Sequence, residues 1–163
     1  MNAADTGTTL ATRAYIRRET AISMAINAAL SLAFYLAVFR GTDPVPLWGL
    51  GNWVFDFVPQ SFMIGLMSTL VPGALTAGRL RKRAVSLLDS ATALPRRLGI
   101  RALLLALVSA IGGTIMVAAA TRVAGIQQLG ALAAGLLKVI YGAALAAIVT
   151  PIGLRAALAR PAN

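Results

Sequence analysis

Four stretches of mostly apolar residues, each long enough to cross a lipid bilayer, alternate with polar or basic segments along this chain. They cover about residues 20–39, 53–78, 102–121 and 129–150. No residue from Phe57 to Gly78 carries a formal charge. That length of helix measures about 33 Å, against a hydrocarbon layer of about 30 Å. The pattern predicts an all-α fold, a bundle of four transmembrane helices that forms a single integral membrane domain over residues 1–163.

The segments between these stretches carry different signals. Residues 1–11 are small and polar, which favours a mobile end. Residues 40–51 hold Pro, Gly and Asp at a density that stops a helix, and the nearby Trp48 and Trp53 are typical of the membrane boundary. Residues 79–101 form a basic loop, and its apolar positions are compatible with a short helix that lies in the membrane interface.

Polar side chains recur along the first span at Thr20, Ser23, Asn27 and Ser31. Intervals of three or four residues place side chains on one face of a helix. Lipid offers such a face no hydrogen-bond partner, so we expect it to turn toward other helices.

Small residues mark two further helix faces. Ser109 and Gly113 in the third span have the four-residue spacing that allows helices to approach closely, and Gly135 and Gly142 in the fourth span share a face with Lys138. We predict that these small residues are helix-packing positions.

Two prolines lie near the ends of their spans, Pro72 in the second and Pro151 in the fourth. Each proline frees a carbonyl one turn back and favours a kink. Helix termination beside a basic interface is the simpler interpretation, and a functional hinge is the alternative.

Composition independently favours a membrane protein. The chain is 58% hydrophobic and 12% charged, whereas soluble domains are usually about 45–50% and about 25%. It has no Cys and no His, which excludes disulfides, thiolate metal sites and the commonest general base. We find no carboxylate pair at one depth and no nucleophile beside a base. We therefore expect no enzyme activity, no metal and no cofactor.

The basic residues predict the orientation in the membrane, because short cytoplasmic loops carry an excess of Lys and Arg. Arg40 and Arg122 lie on one side of the predicted spans. The other side holds Arg13, Arg17, Arg18, Arg79, Arg81, Lys82, Arg83, Arg96, Arg97, Arg101, Arg155 and Arg160. This asymmetry predicts that both termini and the 79–101 loop are cytoplasmic, in a bacterial inner membrane. The net charge of +10 then reflects orientation, and we expect no nucleic-acid partner.

Ionisable and amide side chains are costly at membrane depth and are therefore candidate functional residues. Here they are Asn27, Asp56, Gln60 and Lys138. The alternatives for Lys138 are hydrogen bonds to the carbonyls of a broken helix, a pair with Asp56, and a direct role with a solute or proton. Asp56 comes three residues before Pro59, so it is either an N-cap or a buried charge. Gln60 shares its helix face.

The two halves of the chain show a weak internal match, in which Arg17 falls on Arg96 and Pro72 on Pro151. A duplicated two-helix unit, with both copies in the same orientation, is one interpretation. The polar first span, the segment LWGLGNW and the segment VPGALTAGRL also resemble small bacterial inner-membrane proteins built from a two-helix unit. That group has no assigned activity, so the resemblance implies an architecture and no chemistry.

Two functions remain. The first is a non-catalytic membrane protein that acts as a packing, accessory or scaffold component, with membrane lipids, a second copy or another membrane protein as partners. The alternative is an oligomeric transporter of a small solute or ion that uses the four polar residues named above.

Overall fold

Four long helices make up most of the described chain. The structure, a computed structural model, describes residues 3–88 and 92–159, with side chains from residue 10 onward. The helices are α1 (Ala3–Phe39), α2 (Phe57–Arg81), α3 (Leu98–Val123) and α4 (Ala131–Leu158). Strands β1 (Val45–Pro46) and β2 (Gln128–Leu129) pair in antiparallel fashion. All four helices are long and apolar enough to cross a membrane, which confirms the predicted all-α bundle.

The helices extend beyond the apolar runs that predicted them. α1 begins at Ala3, so residues 3–11 of the segment expected to be mobile are helical, and residues 1–2 lie outside the described residues. No proline interrupts this segment, and helix geometry can continue past the apolar run. α2 begins at Phe57 rather than near residue 53, because Gly49 and Gly51 adopt positive φ in the turns before it.

Pro72 and Pro151 lie inside α2 and α4 and end neither helix. The helix-end interpretation is therefore wrong for both. Packing continues past each proline, because Gly73 lies against Leu98 of α3, and Gly153 lies against Thr69 of α2. These contacts stabilise the helices where the local sequence alone favours a stop.

The described parts of the basic loop, residues 82–88 and 92–97, contain no helix, so the interfacial helix is not formed there. Residues 89–91, where the same expectation applied, lie outside the described residues. The N–H of Leu88 donates to the Leu158 carbonyl at 2.8 Å. Val85 and Leu88 pack against Ile16 and Leu158. The apolar side chains expected to enter the interface thus cover the end of the bundle.

We name the two ends of the bundle by what they carry. The strand end holds β1, β2 and the turns around them. The basic end holds the Lys and Arg residues near the starts of α1 and α3 and the ends of α2 and α4. Contacts of Tyr15 with Thr76 and of Glu19 with Arg79 place the start of α1 beside the end of α2 at the basic end.

The helices pair in an interleaved order. α1 packs mainly against α4, and α3 packs mainly against α2, while α2 and α4 also contact each other. The two halves make similar contacts with each other. A Cβ on Gly142 of α4 would meet the Ser31 hydroxyl of α1, and a Cβ on Gly113 of α3 would lie 3.0 Å from the Ser61 hydroxyl of α2. The strand pairs Val45–Leu129 and Pro46–Gln128 are related in the same way. These contacts are the kind expected if the chain is a duplicated two-helix unit whose copies are related by a two-fold axis.

Small residues allow the close contacts between these helices. Ser109, Gly113, Gly135 and Gly142 are all buried in helix contacts. A Cβ on Gly135 would lie 2.8 Å from a ring carbon of Tyr35. The closest backbone approach lies between α2 and α3, where a Cβ on Gly65 would lie 2.8 Å from the Ala106 Cα and 2.9 Å from the Leu105 carbonyl oxygen.

We expect Gly65→Ala to lower the free energy of unfolding by about 1–3 kcal/mol, because the added methyl group would meet backbone that cannot rotate away. The matched control is Gly112→Ala on α3, where a Cβ meets nothing within 4 Å. The control should be neutral or slightly stabilising. Thermal unfolding in mild detergent measures both variants, and equal melting temperatures would contradict a close α2–α3 contact.

Candidate intramembrane polar site

Lys138 lies in the second turn of α4, and its side chain is 1% exposed. Its Nζ donates to Asp56 Oδ2 at 2.5 Å and to Gln60 Oε1 at 3.0 Å. Small neighbours on the same face of α4, including Gly135 and Gly142, allow the lysine stem to lie inside the bundle. The sequence left several interpretations of Lys138 open, and in the structure this residue pairs with Asp56. Among the described residues, its side chain makes no hydrogen bond to a backbone carbonyl.

Asp56 immediately precedes α2 and makes no side-chain cap hydrogen bond. Its φ of −66° and ψ of −12° continue the helical path of the preceding turn, and its N–H donates to the Asn52 carbonyl. An N-cap residue normally has extended dihedral angles, so the N-cap interpretation is wrong. The Asp56 side chain is 20% exposed while Lys138 is fully enclosed, so the carboxylate forms the outer side of the pair.

Three aromatic rings surround the ammonium group and were not predicted as part of the site. The Lys138 Nζ lies 4.0 Å from the centre of the Phe57 ring, 5.7 Å from that of Trp53 and 5.9 Å from that of Phe39. A cation within about 6 Å of an aromatic face is attracted by the ring quadrupole. We call these three rings the aromatic box. The same arrangement holds cationic ligands in other proteins, and here the lysine of the chain occupies it.

Trp53 is buried inside the bundle, so its ring does not lie on the lipid-facing surface. Its indole N–H donates to the Ala134 carbonyl at 3.2 Å, and its ring packs edge-on to Phe57 at 4.7 Å. The tight turn before α2 carries the ring into the bundle. The sequence has aromatic residues at alternate positions, Trp53, Phe55 and Phe57. This spacing does not indicate which rings are buried, because that depends on the turn before α2.

Gln60 joins three helices. Its amide nitrogen donates to the Ser31 hydroxyl at 2.9 Å and to the Lys138 carbonyl at 3.4 Å, and its amide oxygen accepts from Lys138. Both ends of the amide are therefore used, which fixes the side chain between α1, α2 and α4.

Asn27 lies in a separate cluster one turn nearer the basic end. Its amide nitrogen donates to the Ser23 carbonyl at 2.8 Å and to the Ser68 hydroxyl at 3.1 Å. The Thr150 hydroxyl donates to Ser23 at 2.8 Å, and Ser23 donates to Ser68 at 3.2 Å. The structure thus brings Asp56, Gln60 and Lys138 together and places Asn27 elsewhere. Ser23, Asn27 and Ser31 are buried toward the bundle, as the polar stripe predicted.

Loops at the strand end cover the ion pair. Val45 and Leu47 of the first loop are fully buried. Asp43 Oδ1 accepts from the Ala131 N–H at 3.0 Å, which supplies an acceptor at the start of α4. The guanidinium of Arg122 lies 3.8 Å from the centre of the Trp48 ring. These contacts hold α4 in the position where Lys138 reaches Asp56.

The site is a buried set of polar groups in which the Asp56 carboxylate neutralises the charge of Lys138. In residues 3–88 and 92–159, no group of three or more His, Cys, Asp or Glu side chains could hold a metal ion. The Lys138 ammonium donates two hydrogen bonds to side chains and contacts aromatic rings, and the hydroxyl and amide groups around it bond to one another.

Comparisons with known proteins give no further assignment. No protein-family model, curated protein or solved structure matches this chain.

We expect the Asp56–Lys138 pair to appear as coupling in a double-mutant cycle. Asp56→Asn leaves a buried ammonium without its counter-ion, and should cost about 3–5 kcal/mol by analogy with buried pairs. Lys138→Met leaves a half-buried carboxylate without its counter-ion, and should cost less, because water can still reach Asp56. The double substitution should recover part of the loss. Melting temperatures in detergent measure the cycle, with Arg40→Gln, which removes an exposed charge at the same end, as the control. Simple addition of the two losses would show that the residues do not interact.

Proposed function

We propose that this protein is a non-catalytic integral membrane component that acts by packing against lipids or another membrane protein. The observation that carries the proposal is the closed state of its polar interior. Lys138, buried to 1% exposure, is neutralised by Asp56 and held by Gln60. A residue that moves a solute or proton has to exchange its partners with that solute or with water. An ammonium group enclosed by Asp56, Gln60 and aromatic rings is suited to fixing the positions of helices.

The surface of the bundle supports the same proposal. Large apolar side chains are exposed on α1 and α3, the two helices that each pack mainly against one neighbour. Those of α1 include Ile22, Ile26, Leu30 and Phe34. Such faces meet acyl chains or the face of another membrane helix. The proposed partners are therefore membrane lipids together with a second copy of the chain or a different membrane protein.

The orientation and membrane belong to this proposal as well. Because successive helices run in opposite directions, most Lys and Arg residues lie at the basic end, whereas Arg40 and Arg122 lie at the strand end. The positive-inside rule then favours a cytoplasmic basic end and cytoplasmic termini, in a bacterial inner membrane. A reporter enzyme that is active only outside the cytoplasm, fused after Asn163, should be inactive, and activity there would reverse the orientation.

A transporter is the second candidate, and one observation favours it. Polar side chains follow the buried face of α1 from Ser31, which Gln60 contacts, through Asn27 and Ser23 to Glu19, which pairs with Arg79 at 2.7 Å. A carboxylate thus lies near each end of the polar series. Proton relays use chains of such groups.

We expect vesicles containing the protein to take up protons no faster than protein-free vesicles. The measurement uses an enclosed pH-sensitive dye and a potassium diffusion potential across the vesicle membrane. The control is the double variant Asp56→Asn with Lys138→Met, in which the pair is removed without leaving one charge unpaired. If the protein increased the rate of proton uptake and the double variant did not, the result would contradict the proposal and support a transporter.

The partner itself is tested by purification from native membranes in mild detergent. A packing component should retain a second protein or a second copy at fixed stoichiometry, and Phe34→Lys on the exposed face of α1 should release it without changing the melting temperature of the isolated chain. A chain that purifies as a monomer, in native membranes and after cross-linking alike, would contradict a protein partner.

A further inference from the structure

The side chain of Arg101, in the first turn of α3, is buried and has no acidic partner in residues 3–88 and 92–159. The residue is 3% exposed, and its Nε is fully enclosed with no hydrogen-bond partner. Among the described residues, its side chain makes one hydrogen bond, a long one from Nη1 to the Pro95 carbonyl at 3.5 Å. An isolated buried charge is unfavourable unless a counter-ion neutralises it. The described chain supplies none for this arginine.

The residue at the corresponding position in the other half of the chain, Glu19, has a partner of opposite charge. Glu19 precedes Ser31 by the same number of residues as Arg101 precedes Gly113, and Ser31 and Gly113 occupy like places in the two halves. Glu19 is paired with Arg79 at 2.7 Å. At the basic end, one half thus holds a closed acid–base pair and the other holds an arginine alone.

The start of α3 adds donors for an anion. Helix geometry leaves the N–H groups of Leu98, Gly99 and Ile100 without an intrahelical acceptor, and Arg97 at the N-cap makes no side-chain cap hydrogen bond. Arg101 Nη1 lies beside the Pro95 carbonyl, just before this helix start, and Nη2 lies 3.6 Å from the place of a Cβ on Gly73, so the guanidinium lies beside the helix start on the side that faces α2. Gly99 leaves that surface open, since a Cβ there meets nothing within 4 Å.

We propose that this site, formed by the guanidinium of Arg101 and the free N–H groups at the start of α3, binds the anionic phosphate of a phospholipid. A guanidinium and a helix N-terminus both favour phosphate, the first by paired N–H donors and the second by its positive dipole. Basic sites between helices at the cytoplasmic side of membrane proteins bind anionic head groups.

The neighbouring surface fits the rest of a lipid molecule. Ile100, Leu103, Leu104 and Leu107 are exposed on α3 directly after the phosphate donors. A lipid whose phosphate lies at Arg101 can lay its acyl chains along this apolar face. Free phosphate has the same charged group without the chains, so the two sources are separable by experiment.

The test compares the melting temperature of the full chain in mild detergent with added phosphatidylglycerol, phosphatidylcholine or inorganic phosphate. We expect phosphatidylglycerol to raise the melting temperature by roughly 5 °C more than phosphatidylcholine, the size given by a ligand well above its dissociation constant. Gly99→Glu places a carboxylate at the open helix start and should remove most of this gain, while Gly99→Gln should keep it.

Variants of the arginines complete the design. Arg101→Gln should also abolish the gain, and Arg155→Gln, which removes an exposed charge near the basic end of α4, should leave it unchanged. Native mass spectrometry of retained lipid gives a second readout that does not depend on stability. A gain from inorganic phosphate of the same size would show that the phosphate need not belong to a lipid. Equal effects of the two lipids with no effect of phosphate, or a gain that survives Gly99→Glu, would overturn the site.

Discussion

A buried ammonium group at membrane depth is the constraint on which the strand end of the bundle depends. Hydrocarbon provides no counter-ion, so Lys138 requires a carboxylate, a carbonyl acceptor and polarisable neighbours from the protein itself. Asp56, Gln60 and the aromatic box supply these, from the end of α1, the segment before α2 and the first turn of α2. The small residues of α4 serve the same requirement, because only a close approach of the helices brings the donors and acceptors within hydrogen-bond distance.

The parts of this arrangement that follow local periodicity were predictable from the sequence. The four spans, the buried polar stripe of α1 and the packing roles of Gly135 and Gly142 each depend on which residues share a helix face. The choice of neighbour was not predictable. Ser23 bonds to Thr150 and Ser31 to Gln60, and periodicity indicates that a face is buried without indicating which helix covers it. The prolines were misassigned for a related reason, since tertiary contacts overrode the local preference for a helix end. The inward position of Trp53 likewise depends on the turn before α2.

The interleaved order of the helices also determines when the polar groups can be satisfied. α1 is synthesised first, yet it packs mainly against α4, the last helix of the chain. Its serines and asparagine therefore have incomplete partners until the fourth span is in place. Non-local contacts of this kind are slow to form because a long loop has to close first. The short strands and the Asp43 contact to Ala131 stabilise that closure at the strand end.

The relation between the two halves has a consequence for how such a fold can carry charge. Phe57 precedes Ser61 by four residues, as Lys138 precedes Gly142, so the ring and the ammonium group that meet at 4.0 Å occupy like positions in the two units. In a dimer of identical two-helix subunits, symmetry would place lysine against lysine or phenylalanine against phenylalanine at this contact. Joining two unequal units in one chain breaks that symmetry, so a cation can face an aromatic ring beside the axis. The difference between the halves therefore lets one cation pack against a ring near the centre of this bundle, where Asp56 and Gln60 accept its hydrogen bonds.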